Sequence, residues 1–305
     1  MYELAIIGGG PAGIAAGIYA ARKKLNTILI TDSFGGQSIV SDEIQNWIGE
    51  LSISGLDLAK KLEGHLRAQE GVTIAEGDRI SEIKKTQSGF VLKTVGGKEY
   101  ESKTILVAAG SRRRKLGVPG EDQFEGRGVA YCGTCDAPLF EGKRVAVVGG
   151  GNSGLETVLD LAPYAEHIYL LHRADTLKGD PITQEKILAL SKVTVLLNSN
   201  VVSVSGNQMV EELRYLNSKT GVEEALAVGG VFVEIGAIPN GDLVKEFVKM
   251  NDWGQIVVDH KTQRSSDPSI WAAGDVSDGF YKQNNISVGD AIKAVMNIHD
   301  TLRAK

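Results

Sequence analysis

Short apolar runs that break into glycine, rather than long amphipathic stretches, set the pattern of this chain. The first, "ELAIIGGGPAG" at 3–13, is strand-like, turns through Gly8-x-Gly10-x-x-Gly13 and continues as small residues, Ile14 to Arg22, that predict a helix. The second, "KRVAVVGGGNSG" at 143–154, repeats the phrase with Gly149-x-Gly151-x-x-Gly154 and a predicted helix from Leu155 to Leu161. Two more apolar strands, "TILVAAGS" at 104–111 and "SIWAAGDV" at 269–276, end in Ala-Ala-Gly. Leu4 to Ala21 carries no charge and has roughly the length of a membrane span. Its glycines and Pro11 make it strand, turn and helix instead, and no membrane role is expected.

The spacing of the two glycine turns has a physical meaning. The first glycine makes the tight strand-to-helix turn, the second lets a pyrophosphate touch the backbone, and the third packs helix on strand. The helix N-terminus then presents free N–H groups and a positive dipole end to the anion. Two such turns, each after a strand and before a helix, predict two dinucleotide-binding sites. Gly274-Asp275 places a carboxylate at a strand's C-terminal edge, where ligands of open α/β sheets sit.

Residues 89–103 and 211–236 are β-rich and read as small antiparallel elements. Pro119 with Gly120 and Pro239 with Gly241 punctuate two crossings between domains. The predicted fold is α/β, two Rossmann-like three-layer domains, the second inserted in the first: 1–112 with 240–305, and 113–239. Apolar residues at 288, 291, 292, 295, 298 and 302 give the last helix a core-facing stripe.

Composition narrows the function classes. Apolar residues at 42% and charged residues at 23% are ordinary for a soluble globular protein, whereas 37 glycines point to repeated close approach of backbone to ligand. A net charge of -5 argues against nucleic acid as the main partner. No secretory leader is visible, and a cytoplasmic location is expected. Both cysteines lie in "YCGTCDAP" at 131–138, Cys132 and Cys135. Four readings are open from the residues: a structural disulfide, half of a metal site, two incidental thiols, or a pair that cycles between dithiol and disulfide. Zinc needs four ligands and no His accompanies the pair, so no metal is expected. A reducing compartment and a core of this size leave little use for a staple.

In combination and order, "GGGPAG", "GGQ", "QNWIG", "CGTCD", "GGGNSG" and "AAGDV" resemble the low-molecular-weight thioredoxin reductases. The chain is similar as well to the flavoprotein subunit of the alkyl hydroperoxide reductase system, and the resemblance runs from Tyr2 to Leu302. It implies FAD in the first domain: Gly8, Gly10, Pro11, Ala12 and Gly13 at the pyrophosphate, Thr31 and Asp32 near the adenosine ribose, and Gly35, Gly36, Gln37 and Asn46 along the isoalloxazine and ribityl chain. Ala109, Gly110, Gly274 and Asp275 would line the same site, with Lys282, Gln283 and Asn284 closing over it. The resemblance likewise implies a nicotinamide dinucleotide on Gly149, Gly151, Asn152, Ser153 and Gly154. Hydride would pass from nicotinamide to FAD, and electrons on to a Cys132–Cys135 disulfide. Cys135 would face the flavin, Cys132 would attack a protein disulfide, and Asp136 would relay the proton.

After "HIYLL" the NADPH-using reductases carry His-Arg-Arg, whereas this chain has His172-Arg173-Ala174-Asp175 and then Lys178. Arg173 and Lys178 could meet a 2′-phosphate, and no acidic residue ends the strand to hold a bare 2′-hydroxyl, which favours NADPH with NADH as the alternative. The expected function is a thioredoxin-disulfide reductase, acting on thioredoxin or a thioredoxin-like protein and forming a homodimer. The alternatives are an NADH-dependent peroxiredoxin-system reductase, a ferredoxin-linked flavin disulfide reductase, and a redox-sensing flavoprotein that is not an enzyme.

Overall fold

The computed structural model describes residues 1–41 and 44–304. The chain divides into two compact units, one made of Met1–Val40, Asn46–Arg112 and Ile238–Lys305, the other of Ser41–Gln45 and Arg113–Ala237. The first unit opens with β1 (Tyr2–Ile7), α1 (Pro11–Arg22), β2 (Thr27–Thr31), α2 (Gly55–Arg67) and β3 (Val72–Glu76). It continues through β4 (Ile80–Lys85), β5 (Phe90–Thr94) and β6 (Glu99–Val107), and β7 (Ser111–Arg113) leads out of it. The second unit holds β8 (Val129–Ala130), α3 (Gly133–Asp136), β9 (Arg144–Val148), α4 (Asn152–Leu161), β10 (His167–Leu171) and α5 (Pro181–Leu188). There follow β11 (Val193–Leu196), β12 (Ser199–Gly206), β13 (Val210–Asn217), β14 (Glu223–Ala227) and β15 (Gly230–Val233), and the chain returns through β16 (Ala237–Pro239). The first unit is completed by β17 (Val258–Asp259), β18 (Arg264–Ser265), β19 (Ile270–Ala272) and α6 (Asn284–Arg303).

The first unit is built on a sheet of order β17-β18-β19-β6-β1-β2-β3, parallel from β19 to β3, with the β4–β5 hairpin added to β6. Successive side chains of a strand point to opposite faces. Leu4 and Ile6 of β1 therefore pack under α1 and α6 with Ile14, Val295 and Ile298, while Ala5 and Ile7 join Ile105, Val244 and Ile256 on the other face. A parallel sheet covered on both faces needs near-continuous apolar runs, which β1 supplies from Leu4 to Ile7 and β2 from Ile28 to Ile30.

The second unit repeats the plan on five parallel strands ordered β11-β10-β9-β15-β8. Val145 and Val147 of β9 pack on Leu155, Val158 and Leu161 of α4. Ala146 and Val148 face the separate antiparallel sheet β12-β13-β14 through Leu213 and Tyr215.

Helices start earlier than the periodicity indicates. Pro11 occupies the first turn of α1, where its fixed φ and missing N–H cost nothing, and α4 and α6 begin at Asn152 and Asn284. The boundary expected at 103–104, between an antiparallel element and an apolar strand, falls inside one nine-residue strand, β6, whose first half pairs antiparallel with β5 and whose second half runs parallel to β1 and β19. Among the described residues no helix is long and apolar enough to cross a membrane.

Candidate functional site

At the end of β1 the Gly8 N–H donates to the Ile30 carbonyl at 2.9 Å, and the backbone turns with φ +116°. A methyl group on Gly8 would overlap the Ala108 carbonyl oxygen, and one on Gly13 would overlap the Gly8 carbonyl oxygen, so both positions are spent on close packing. Gly10 differs: a methyl there would meet only the Gly36 Cα, at 3.8 Å. It caps α1 without a side-chain hydrogen bond, so the N–H groups of the first turn, Ala12 and Gly13 among them, open onto a notch bordered by Gly10 and Gly36. The Gly35 N–H donates to the Gly9 carbonyl at 3.0 Å and fixes the second edge of that notch.

The polar groups of this unit gather around the same edge. Gln37 Nε2 donates to Ser111 Oγ at 3.0 Å and reaches Asp275 Oδ2 at 3.5 Å, and Ser111 Oγ donates to Asp275 Oδ2 at 3.2 Å. Lys282 Nζ donates to the Ser277 carbonyl at 2.6 Å, and burial pushes its ammonium below the ordinary lysine value against the pull of Asp275, Asp278 and Asp290. Asn46 Nδ2 donates to Gln283 Oε1 at 3.2 Å, Asn284 Nδ2 to Ser38 Oγ at 2.8 Å, and Asn285 Nδ2 to the Asn46 carbonyl at 2.8 Å. The start of α6 is thereby tied to the loop after β2. Asn240 holds the Ala109–Gly110 turn by donating twice, from Nδ2 to the Ala109 carbonyl at 2.9 Å and from its N–H to the Gly110 carbonyl at 3.0 Å. Thr31 is buried and donates to the Ser33 carbonyl at 2.6 Å, while Asp32 is exposed beside it. Sequence reasoning missed Ser111, Ser38 and Asn240, which enter the cluster from distant segments. Ser111 directly follows "AAG", and that adjacency was its one visible signal.

The second unit repeats the turn in its essentials. Methyl groups on Gly149 and Gly154 would overlap the carbonyl oxygens of Glu234 and Gly149, whereas one on Gly151 would meet nothing within 4 Å. Around it the chain fastens its own loop: the Gly150 carbonyl accepts from the Lys178 N–H at 2.7 Å, and Asn152 Oδ1 accepts from the Asp180 N–H at 2.7 Å. His172, buried at the end of β10, accepts the Gly150 N–H on Nδ1 at 3.1 Å, which leaves Nε2 to carry the proton of the neutral ring. That Nε2 is buried without a hydrogen-bond partner. Burial, then the Lys178 and Arg173 cations, keep the ring below the ordinary histidine range and so neutral. Ser153, in the first turn of α4, and Arg173, Asp175 and Lys178 are all exposed, and the Lys178 and Arg173 cations act on His172 beside the turn.

Cys132 and Cys135 form a disulfide, with Cα atoms 5.3 Å apart. Cys132 is the N-cap of α3, and the Asp136 N–H donates to its carbonyl at 3.1 Å, closing one helical turn around the pair. This turn lies on α4: Thr134 Oγ1 donates to Asp160 Oδ2 at 2.9 Å, and a methyl on Gly133 would collide with the Thr157 side chain. A shallow groove beside it is lined by Thr134, Ala137, Pro138, Leu159, Asp160, Pro163 and Tyr164. Asp136 ends the turn of α3 and is the residue from which the following 3-10 turn starts.

Residues 2–297 match the pyridine nucleotide-disulphide oxidoreductase family. The chain belongs to that family. It is 39% identical over 301 residues to a protein named NADH dehydrogenase from Bacillus subtilis (strain 168), covering 99% of this chain and 58% of the relative. It is 40% identical over 299 residues to the F subunit of alkyl hydroperoxide reductase from Staphylococcus aureus (strain Mu50 / ATCC 700699), covering 98% of this chain and 59% of the relative. The chain thus spans less than two thirds of the length of these relatives. Among solved structures it is similar to the thioredoxin reductase from Streptococcus pyogenes MGAS5005, with a TM-score of 0.91 at 34% identity, covering 100% of this chain and 99% of the other.

Membership of the pyridine nucleotide-disulphide oxidoreductase family implies FAD and a pyridine nucleotide. Both glycine turns fit such groups: each leaves open space at its middle glycine, where a side chain would stand in the way of a pyrophosphate, and each aims a helix N-terminus at that space.

Proposed function

We propose that this chain is an FAD-dependent protein-disulfide reductase of the thioredoxin reductase type, driven by a reduced pyridine nucleotide. One observation carries the reading: in a single unit, a disulfide-bonded Cys-x-x-Cys turn sits on the same helix, α4, whose N-terminus forms a dinucleotide notch. When bound, FAD and the nicotinamide supply the electron pair.

The chain's own residues do the rest. Gly8, Gly10, Pro11, Ala12 and Gly13 line the notch for the FAD pyrophosphate, with Gly35, Gly36, Ala109, Gly110 and Gly274 keeping the backbone close. Thr31 and Asp32 border the adenosine end. Asp275, held by Ser111 and Gln37, keeps an acceptor fixed for a ribityl hydroxyl, and Lys282, Gln283, Asn284 and Asn46 close that edge. The positive end of α6 points into the cluster, where it favours negative charge. Gly149, Gly151, Asn152, Ser153 and Gly154 receive the second pyrophosphate, and His172, Arg173 and Lys178 flank its adenosine ribose. Cys132 and Cys135 exchange with a protein disulfide through a thiolate and a mixed disulfide, and Asp136 moves the proton.

Thioredoxin or a protein like it is the proposed acceptor, and a homodimer the proposed assembly. The second reading, an NADH-dependent reductase serving a peroxiredoxin, is favoured by the 40% identity to the F subunit of an alkyl hydroperoxide reductase and by Asp175, which opposes a 2′-phosphate. Arg173 and Lys178 support NADPH. Anaerobic titration of the flavin absorbance with NADPH and NADH separately decides between them. Bleaching at lower concentration by NADPH is the expected result. Preferential bleaching by NADH moves the assignment to the second reading, and no bleaching by either overturns both.

A further inference from the structure

The two units repeat so closely that their differences carry information. Ala108, the residue after β6, donates its N–H to the Ile7 carbonyl at 2.9 Å, and its carbonyl packs on Gly8. Glu234, the residue after β15, donates its N–H to the Val148 carbonyl at 2.8 Å, and its carbonyl packs on Gly149. These are the same topological place. In the first unit a buried alanine fills it, so the fold itself asks for nothing larger. In the second unit it carries a partly buried carboxylic acid.

That acid is directed at the disulfide turn. Glu234 Oε1 accepts from Thr157 Oγ1 at 3.3 Å, and Thr157 is the α4 side chain against which Gly133 packs. The Gly133 N–H, next in the chain to Cys132, favours the ionised carboxylate, as does Arg113 at the end of β7, while Asp160 on α4 opposes it. The remaining acid of the neighbouring turn is Asp136, at the far end of α3. Burial outweighs these attractions and pushes the Glu234 carboxyl up to about 7.

We propose that Glu234 is a positioning residue of the Cys132–Cys135 pair, fixing the start of α3 and exchanging a proton as the disulfide opens and closes. The inference rests on the pair being a cycling dithiol, as proposed above. An electron pair and one proton open the S–S bond to one thiol and one thiolate. Negative charge then faces a carboxylate across the Gly133 backbone, so Glu234 takes a second proton from solvent and the cluster gains no net charge. When the thiolate attacks a protein disulfide and the S–S bond re-forms, the proton on Glu234 returns to solvent. Ionised Glu234 therefore raises the thiol pKa and slows the reduced pair at pH values above its own titration.

The test needs neither flavin nor nucleotide turnover. Full-length protein is reduced with a phosphine, and iodoacetamide alkylation at Cys132 and Cys135 is followed by mass spectrometry from pH 5 to 9. Wild type should show two inflections, one near neutrality, and Glu234→Gln a single one, with alkylation about tenfold faster than wild type at pH 7.5 because thiolate is the reactive form. Arg113→Gln, an exposed change, should move the neutral inflection to higher pH. Superimposable profiles for wild type and Glu234→Gln overturn the proposal. If Glu234→Gln does not fold, an Arg113→Gln inflection that stays where wild type has it overturns the proposal on its own. Phosphine reduction separates this outcome from a failure of the reductase reading, which the nucleotide titration reports.

Discussion

Glu234 illustrates how one side chain can be set against its own fold. A glutamate left in water titrates near 4.5, and the folded chain holds this proton up to about 7. Because the folded state binds the proton more tightly than the unfolded chain, the contribution to stability is fully present below about 4.5 and is lost as the pH rises to about 7. Glu234→Gln removes that loss. The variant should gain on wild type in thermal unfolding between pH 5 and pH 8, by up to about 3 kcal/mol for a shift of this size. A difference in melting temperature that stays constant across that range would contradict the account. No sequence pattern marked Glu234, and Ser111 was marked only by its place after "AAG". Each acquires its role from residues that the fold brings in, Thr157 and Gly133 for the one and Gln37 and Asp275 for the other. The glycines, by contrast, were legible by spacing alone, because their role is backbone geometry within six consecutive residues.

At the scale of the element, the strand–turn–helix unit divides its three glycines between packing and binding. Gly10→Ala places a methyl at ordinary contact distance from Gly36 and Gly151→Ala places one in open space, so folding should be kept while ligand is lost. Gly10→Ala should purify with less FAD, and Gly151→Ala should weaken nucleotide binding by about tenfold, roughly 1.4 kcal/mol. Gly13→Ala and Gly154→Ala drive a methyl into a carbonyl oxygen and should lower the yield of folded protein instead. Circular dichroism with flavin content and nucleotide titration checks the set, and equal behaviour of middle and third glycines would refute the division. The same scale explains where sequence reading fell short. The strand β6 changes partners halfway, antiparallel to β5 and then parallel to β1, and alternation along one strand does not show who lies beside it. The strand β12 was not anticipated, since "SNVVSVSG" is as polar as a loop and becomes a strand by pairing with β13. The stripe of α6 was legible, because Ala291, Val295 and Ile298 recur at helical spacing and are fully buried.

At the scale of the molecule, the chain uses one architecture twice and loads the copies differently. The first copy surrounds its notch with fixed hydrogen-bonding groups from four segments, a design suited to a resident cofactor. The second leaves Arg173 and Lys178 accessible beside its notch and carries the disulfide turn on α4, a design suited to a ligand that arrives and leaves. The central claim is that electrons from a pyridine nucleotide leave through Cys132 and Cys135. Its most direct test is anaerobic: protein with FAD, one equivalent of reduced nucleotide, then oxidised thioredoxin, with flavin absorbance and thioredoxin thiols read together for wild type and Cys135→Ser. The account predicts flavin bleaching in both proteins, with thioredoxin thiols appearing for wild type alone. Thioredoxin thiols formed by Cys135→Ser at the wild-type rate would contradict it.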